Sequence, residues 1–324
     1  VHDNDRVLDA DRILSAARRP LVIGIGGGGD VVGALAAAES CRATGAEPVL
    51  GGVTWERRAI DPDPGPRTLQ EIVDVETLPR GGLLARPETR TRASGIPFAE
   101  ARLAGVLGEP VVMIDPNAGP AAAAEAIAGA MEARGCDLVL GVDVGGDVLA
   151  HGDEPGLLSP LCDAVMLAAI ARVADAGVPA LCGIVGAGCD AELTPDEVLE
   201  RIAELGAAGA LAGARAISPR IAARMDEAIA AVPTEASALA VRCARGETGP
   251  VPIRGGRSTA QLSPLGALIF LFDPRIARDR VARLTQAVSD ARDLEHANEL
   301  LHALGVRTEL DLEREFAARG GGSS

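Results

Sequence analysis

Short apolar runs rich in β-branched residues recur along the chain at 21–25, 48–53, 110–114, 138–142 and 178–184. None of them alternates apolar with polar positions, so each predicts a strand buried on both faces, as in a parallel sheet covered by helices. Between the runs lie longer alanine- and leucine-rich stretches at 31–42, 121–134 and 159–176, which predict helices. Ser159 stands at the N-cap position of the last with Pro160 at its first turn, and Thr194-Pro195 opens a further helix in the same way. This alternation predicts an α/β fold with a doubly wound, mostly parallel sheet, Rossmann-like and three-layered. Prolines, arginines and glycines break every period over 55–97, which predicts an excursion of loops and short elements that serves as a lid or subunit contact. From Pro195 onward helices dominate, with one late strand expected at 265–272. The chain thus divides into a Rossmann-like core over 1–192 and a helix-rich part over 193–324 that returns one strand to the sheet, ending in a flexible tail over 320–324.

Composition narrows the chemistry. The 46 acidic and 31 basic residues give a net charge of −15, and since the chain has no lysine every basic residue is an arginine. Such a balance disfavours a nucleic-acid partner, because nonspecific affinity comes from many cations neutralising phosphates. Without lysine there is no Walker A lysine, no Schiff-base lysine and no kinase strand lysine, and without tyrosine no Tyr/Lys pair for short-chain hydride transfer. The lack of lysine and tyrosine fits either GC-rich coding or an acidic surface suited to high salt. No basic-then-apolar leader opens the sequence and no run of 18 apolar residues occurs, so neither a membrane partner nor export is expected, and the expected location is the cytoplasm. The six cysteines, Cys41, Cys136, Cys162, Cys182, Cys189 and Cys243, form no Cys-x-x-Cys pair and read as buried thiols in a reducing compartment.

One motif occurs twice. Shifting the chain by 117 residues (147 − 30) lays LVIGIGGGGDVVG, from Leu21, over LVLGVDVGGDVLA, from Leu138. Each copy is a buried strand, a glycine turn and Gly-Gly-Asp, so Gly26, Gly27, Gly28, Gly29 and Asp30 match Gly145, Gly146 and Asp147 in place. Glycines there let the backbone turn tightly and approach a ligand, while aspartate also serves simply as a helix cap. The first copy satisfies Gly-x-Gly-x-x-Gly at Gly24, Gly26 and Gly29, but Asp30 would repel a nearby phosphate and no clear ribose-binding acid follows, which argues against a classical NAD site.

The second copy carries more chemistry than capping requires, because Asp143, Asp147, His151, Asp153 and Glu154 fall close together among glycines. Hard oxygen donors on a glycine loop suit Mg²⁺ or Ca²⁺, with Asp143, Asp147 and Asp153 as the candidate ligands. The Asp-x-x-x-Asp spacing of Asp143 and Asp147 weakly resembles the calcium-binding opening of nucleoside hydrolases. His151, Asp143 and Asp147 are the candidate catalytic groups, with His151 read either as an acid or base or as a histidine merely bonded to its acidic neighbours. A cation for anionic substrates must be arginine. Arg254 and Arg257 on a glycine-spaced loop are one candidate pair, and Arg57 and Arg58 beside Trp55 are another.

At GIGGGGDVVGA, GVDVGGDVLAHGDEPGLLSPLCDAVMLAAI and LSPLGALIFLFDP the chain resembles a family of uncharacterised archaeal and actinobacterial proteins catalogued as domain of unknown function 1152. The resemblance spans about 20–274 and brings no activity with it, but it joins 143–160 into one unit. The expected function is an enzyme acting on a small polyhydroxylated or phosphorylated metabolite, of the nucleoside or sugar phosphate class, by hydrolysis or group transfer. The rival readings are a non-catalytic nucleotide or metabolite sensor and an oligomeric scaffold, and a homo-oligomer remains open under either.

Overall fold

The computed structural model describes residues 8–320, so the last four residues of the expected tail lie outside the described residues. In chain order the strands are β1 (Pro20–Gly24), β2 (Val49–Val53), β3 (Ile72–Thr77), β4 (Leu83–Thr91), β5 (Val111–Ile114), β6 (Leu138–Val144), β7 (Ala180–Val185), β8 (Leu211–Ala216), β9 (Gly249–Ile253), β10 (Ser258–Leu262) and β11 (Leu268–Phe272). Nine of them form one sheet in the order β3-β4-β5-β2-β1-β6-β7-β11-β8, while β9 and β10 pair as a separate hairpin. The five central strands, β5 to β7 across the sheet, are parallel, and antiparallel strands close both sides.

The central strands are buried along their whole length because helices cover both faces. Successive residues feed opposite cores: Leu21 and Ile23 of β1 pack on one side and Val22 on the other. The helices are α1 (Ala10–Ala16), α2 (Asp30–Arg42), α3 (Ala99–Leu107), α4 (Gly119–Arg134), α5 (Pro160–Asp175), α6 (Pro195–Ala208), α7 (Pro219–Ile229), α8 (Glu235–Ala244), α9 (Pro274–Arg280), α10 (Arg283–Val288), α11 (Leu294–Ala303) and α12 (Glu309–Gly320). Helix α2 is buried from Asp30 to Cys41 because it lies between the sheet and α7 and also meets α3 and α8. Its many alanines permit that close approach. On the other face α5 packs against α4, α9, α10 and α11. Among the described residues no helix is long and apolar enough to cross a membrane. All six cysteines are free, five of them buried and Cys136 half-buried.

Three sequence expectations change. The excursion at 55–97 contains the β3/β4 hairpin, which extends the sheet instead of standing apart as loops. Its period was hidden because β4 is near the edge and carries charged residues at exposed positions, as edge strands do. The late strand begins at Leu268, since Pro264–Ala267 forms a 3-10 turn, and it runs antiparallel to β7. The C-terminal part also contributes β8 beside β11, a second returning strand concealed because after Leu211 it is only alanine, glycine and arginine.

Candidate functional site

The two copies of the glycine motif meet at the centre of the sheet. Strand β1 pairs in parallel with β6, Leu21 opposite Val139 and Ile23 opposite Gly141, so the turns that follow open on the same edge. The chain leaves β1 towards β2 on one side and returns as β6 on the other. The crevice between their carboxyl ends is therefore a topological switch point, where ligands of open α/β sheets collect.

Glycine lets three segments converge there. Gly27 (φ 90°) and Gly28 (φ 51°) turn under the loop that follows β2, and Gly28 N–H donates to the Trp55 carbonyl at 2.8 Å. A Cβ on Gly27 would lie 2.7 Å from that carbonyl oxygen, and one on Gly28 would lie 2.7 Å from Arg57 Cγ. Gly27→Ala is accordingly expected to destabilise the protein by about 1–3 kcal/mol through left-handed strain and the clash, measurable by urea unfolding, whereas Gly45→Ala, with the same sign of φ but open space around it, should cost less.

Into this crevice the fold places two groups of three carboxylates. Asp30, Asp143 and Asp163 each offer an oxygen within 4.8 Å of the others, and so do Asp147, Asp190 and Glu192. All are buried. Asp30 comes from the first turn of α2, Asp143 from the end of β6, Asp147 from the 3-10 turn beyond it, and Asp190 and Glu192 from the loop after β7. Asp163 comes from the first turn of α5. Asp30 is no N-cap, since Gly29 holds that position without a side-chain cap and Asp30 Oδ2 instead accepts from Gly26 N–H at 2.9 Å. Asp147 likewise caps nothing with its side chain. Asp143 Oδ2 and Asp163 Oδ1 are buried with no hydrogen-bond partner.

The start of α5 is fixed by acids from elsewhere in the chain. Ser159 occupies the N-cap position but donates its hydroxyl to Glu192 Oε1 at 2.6 Å, while Glu192 Oε2 accepts from the backbone of Leu158 and Ser159 at 2.7 and 2.8 Å. Glu309, at the start of α12, accepts from Leu161 and Cys162 N–H at 3.0 and 2.8 Å. These bonds satisfy the N–H groups that a helix start leaves open and so hold Asp163 in place.

Two arginines face the acids. Arg254, at the tip of the β9/β10 hairpin, donates to Glu192 Oε1 at 2.6 Å. Burial works against the charge of Arg57, but Asp30, Glu309, Asp163 and Glu192 outweigh it and raise its pKa. Burial also pushes the carboxyls up: Asp30 to about 6, Asp143 to about 8 with Asp30 adding to the effect, and Glu309 to about 7. Asp147, Asp163 and Asp190 are raised well above the ordinary carboxylate range by burial and then by their acidic neighbours. The arginines are too few to neutralise so many acids, and without further cations part of the cluster holds protons at neutral pH.

The triad Asp30, Asp143 and Asp163 has the donor set of a hard divalent cation. Its ligands are all oxygens, the donors that hard cations such as Mg²⁺, Mn²⁺ or Ca²⁺ take, and all three lie within 4.8 Å of one another, close enough for one ion to bridge them. In the second triad Glu192 is already engaged by Ser159, Leu158 and Arg254.

The sequence-predicted residues divide accordingly. Asp30, Asp143, Asp147 and Arg254 reach the crevice, together with the glycine turns. Asp153 is exposed and belongs to neither triad, so the expected ligand set of Asp143, Asp147 and Asp153 is not assembled. Arg257 is exposed and donates to the Arg254 carbonyl at 2.9 Å. Arg58 stacks 3.8 Å from the centre of the Phe316 ring. His151 turns to α6, where Arg201 and Glu204 hold its ring, with Nε2 3.1 Å from Glu204, and burial followed by Arg201 lowers its pKa. His151→Gln should therefore leave divalent-cation affinity within about twofold by calorimetric titration, because the change falls outside both triads.

Asp163, Asp190, Glu192 and Glu309 escaped the sequence reading. Asp163 had a visible signal, a single acid in the otherwise apolar stretch 160–171, where a helix would bury it. The other three lie far from the glycine motifs in sequence.

Comparison with known proteins places this geometry in a family. No curated protein and no solved structure matches the chain. A family profile covers 21–317, both glycine turns and every carboxylate of the crevice included, and the chain belongs to that family, described as a protein of unknown function (DUF1152).

Proposed function

We propose that the protein is a divalent-cation-dependent enzyme that hydrolyses a small phosphorylated metabolite or transfers a group from it. The observation that carries this reading is the Asp30, Asp143 and Asp163 triad at the switch point, with unpartnered buried oxygens on Asp143 and Asp163 and arginines alongside. A crevice with far more acids than arginines repels phosphate. A bound cation supplies the Lewis acid that neutralises and polarises a phosphoryl oxygen. Arg57 and Arg254 bind the remaining anionic oxygens, for which a guanidinium fork is well shaped. Asp147 neighbours Asp143 and stands outside the first triad, which leaves it to take up or return the proton of the attacking water or acceptor hydroxyl.

The arginine assignment is tested with Mn²⁺-loaded protein and inorganic phosphate as the anionic probe. Arg254→Ala is expected to weaken phosphate about 10- to 100-fold, the loss of a charged hydrogen bond of about 1.5–3 kcal/mol, while Arg257→Ala leaves it unchanged. Equal losses for both variants would reduce the hairpin tip to a general surface charge. Turnover is tested against a panel of sugar and nucleoside phosphates. Phosphate and nucleotide binding with no release of product by any member would favour a sensor over an enzyme.

A further inference from the structure

Cys189 and Cys243 stand apart from the other thiols. Cys189 belongs to the loop after β7 and directly precedes Asp190, and Cys243 lies on α8. Their sulfurs are 3.8 Å apart and both residues are buried. Among the described residues no other two cysteines make such a contact. The surroundings are shaped to admit the pair: a Cβ on Gly266 would lie 2.6 Å from Cys243 Sγ and 3.0 Å from Cys189 Sγ, and one on Gly186 would lie 3.6 Å from Cys189 Sγ. Each partner also sits on a wall of the crevice. Cys189 leads into Asp190 and Glu192, while α8 carries Ser237, whose hydroxyl donates to the Gly29 carbonyl at 3.3 Å, and its N-cap Thr234 crowds Gly29.

We infer that Cys189 and Cys243 are an oxidation site, a dithiol that a hydroperoxide converts reversibly to a disulfide stapling the Asp190 loop to α8. This goes beyond the proposed activity and does not depend on it. Bond formation requires the sulfurs to close from 3.8 Å to about 2.05 Å, a movement of about 1.8 Å shared between a loop and a helix. Either sulfur can donate in the contact they share; with Cys189 as the donor, that bond holds the Cys243 thiol down and makes it the nucleophile, while the same bond followed by burial pushes Cys189 up. The Cys243 thiolate attacks the terminal peroxide oxygen, the O–O bond breaks, and the alcohol or water leaves with a proton, giving a sulfenic acid. Cys189 sulfur then displaces the sulfenic oxygen, which departs as water with the Cys189 proton. Two thiols and one hydroperoxide thereby yield one disulfide, one alcohol and one water, with two electrons passing to the peroxide.

The test treats the full chain with hydrogen peroxide, then denatures it and alkylates free thiols for intact and peptide mass. The expected result is four alkylated cysteines (6 − 2), a cross-linked pair of peptides containing Cys189 and Cys243, and full reversal by dithiothreitol. In Cys189→Ser, dimedone should label Cys243 as the trapped sulfenic acid, which keeps the test independent of whether the disulfide alters stability. Six alkylated cysteines after oxidation, or a disulfide joining any other pair, would overturn the inference.

Discussion

Asp163→Asn is expected to lose more than about 100-fold in Mn²⁺ affinity while the fold persists, because it removes one of three charged ligands and keeps the shape of the side chain. The cation-free variant should melt no lower than the parent at pH 8. Burial and the neighbouring Asp143 and Asp30 already disfavour a charge at this position, so a neutral amide relieves repulsion. Asp153→Asn, an exposed acid in the same glycine-rich segment as Asp143 and Asp147, should change neither property. Calorimetric titration and thermal unfolding distinguish the two variants directly. Equal Mn²⁺ affinity for Asp163→Asn and the parent would remove the ligand role. A collapsed fold in both the asparagine and alanine variants would make Asp163 a structural residue instead.

The response to pH provides the second large effect. Asp30, Glu309 and Asp143 have folded pKa values raised to about 6, 7 and 8, above unfolded values of 3.8 for aspartate and 4.5 for glutamate. A carboxyl raised in this way keeps in the folded state a proton that the unfolded chain has released, so its contribution falls as pH climbs from the unfolded value through the folded one. For Asp30 alone the difference amounts to a loss on the order of 3 kcal/mol. Without divalent cation the melting temperature should thus decline between about pH 5 and 8. A divalent cation displaces those protons, and at about 100 times its Kd it restores about 2.7 kcal/mol. Its stabilising effect should be small at pH 5 and large at pH 8. A melting temperature that rises over the same range without cation, or a cation effect equal at both pH values, would contradict the account.

Much of this architecture was legible because buried parallel strands leave an unbroken apolar signature. The runs at 21–25 and 138–142 correspond to β1 and β6, and their repeated glycine motif identified two turns that the fold sets side by side. Strands at and beside the edges lack that signature, since β3 and its neighbour β4 expose several polar residues and β8 is mostly small residues with an arginine. The site was legible where its residues flank a glycine turn or gather as arginines on a loop. Asp30, Asp143 and Asp147 stand next to their strands, and Arg57 and Arg254 stood out as arginines on loops, whereas Asp163 enters from a helix and Glu309 from the start of α12. Local sequence also misled at His151, whose acidic neighbours along the chain matter less than Arg201 and Glu204, which tertiary packing brings to its ring. Nor could the motif separate Arg254 from Arg257, because only the hairpin geometry turns one towards Glu192 and leaves the other outside.

The central claim is a divalent cation held at the switch point by Asp30, Asp143 and Asp163. It is tested most directly by an anomalous difference map from crystals equilibrated with Mn²⁺ and measured on the high-energy side of the manganese edge. The account predicts a strong peak within about 2.5 Å of an oxygen of each of these three aspartates. A map at saturating Mn²⁺ with no peak in the crevice, or with peaks only on exposed acids such as Asp153, would contradict it.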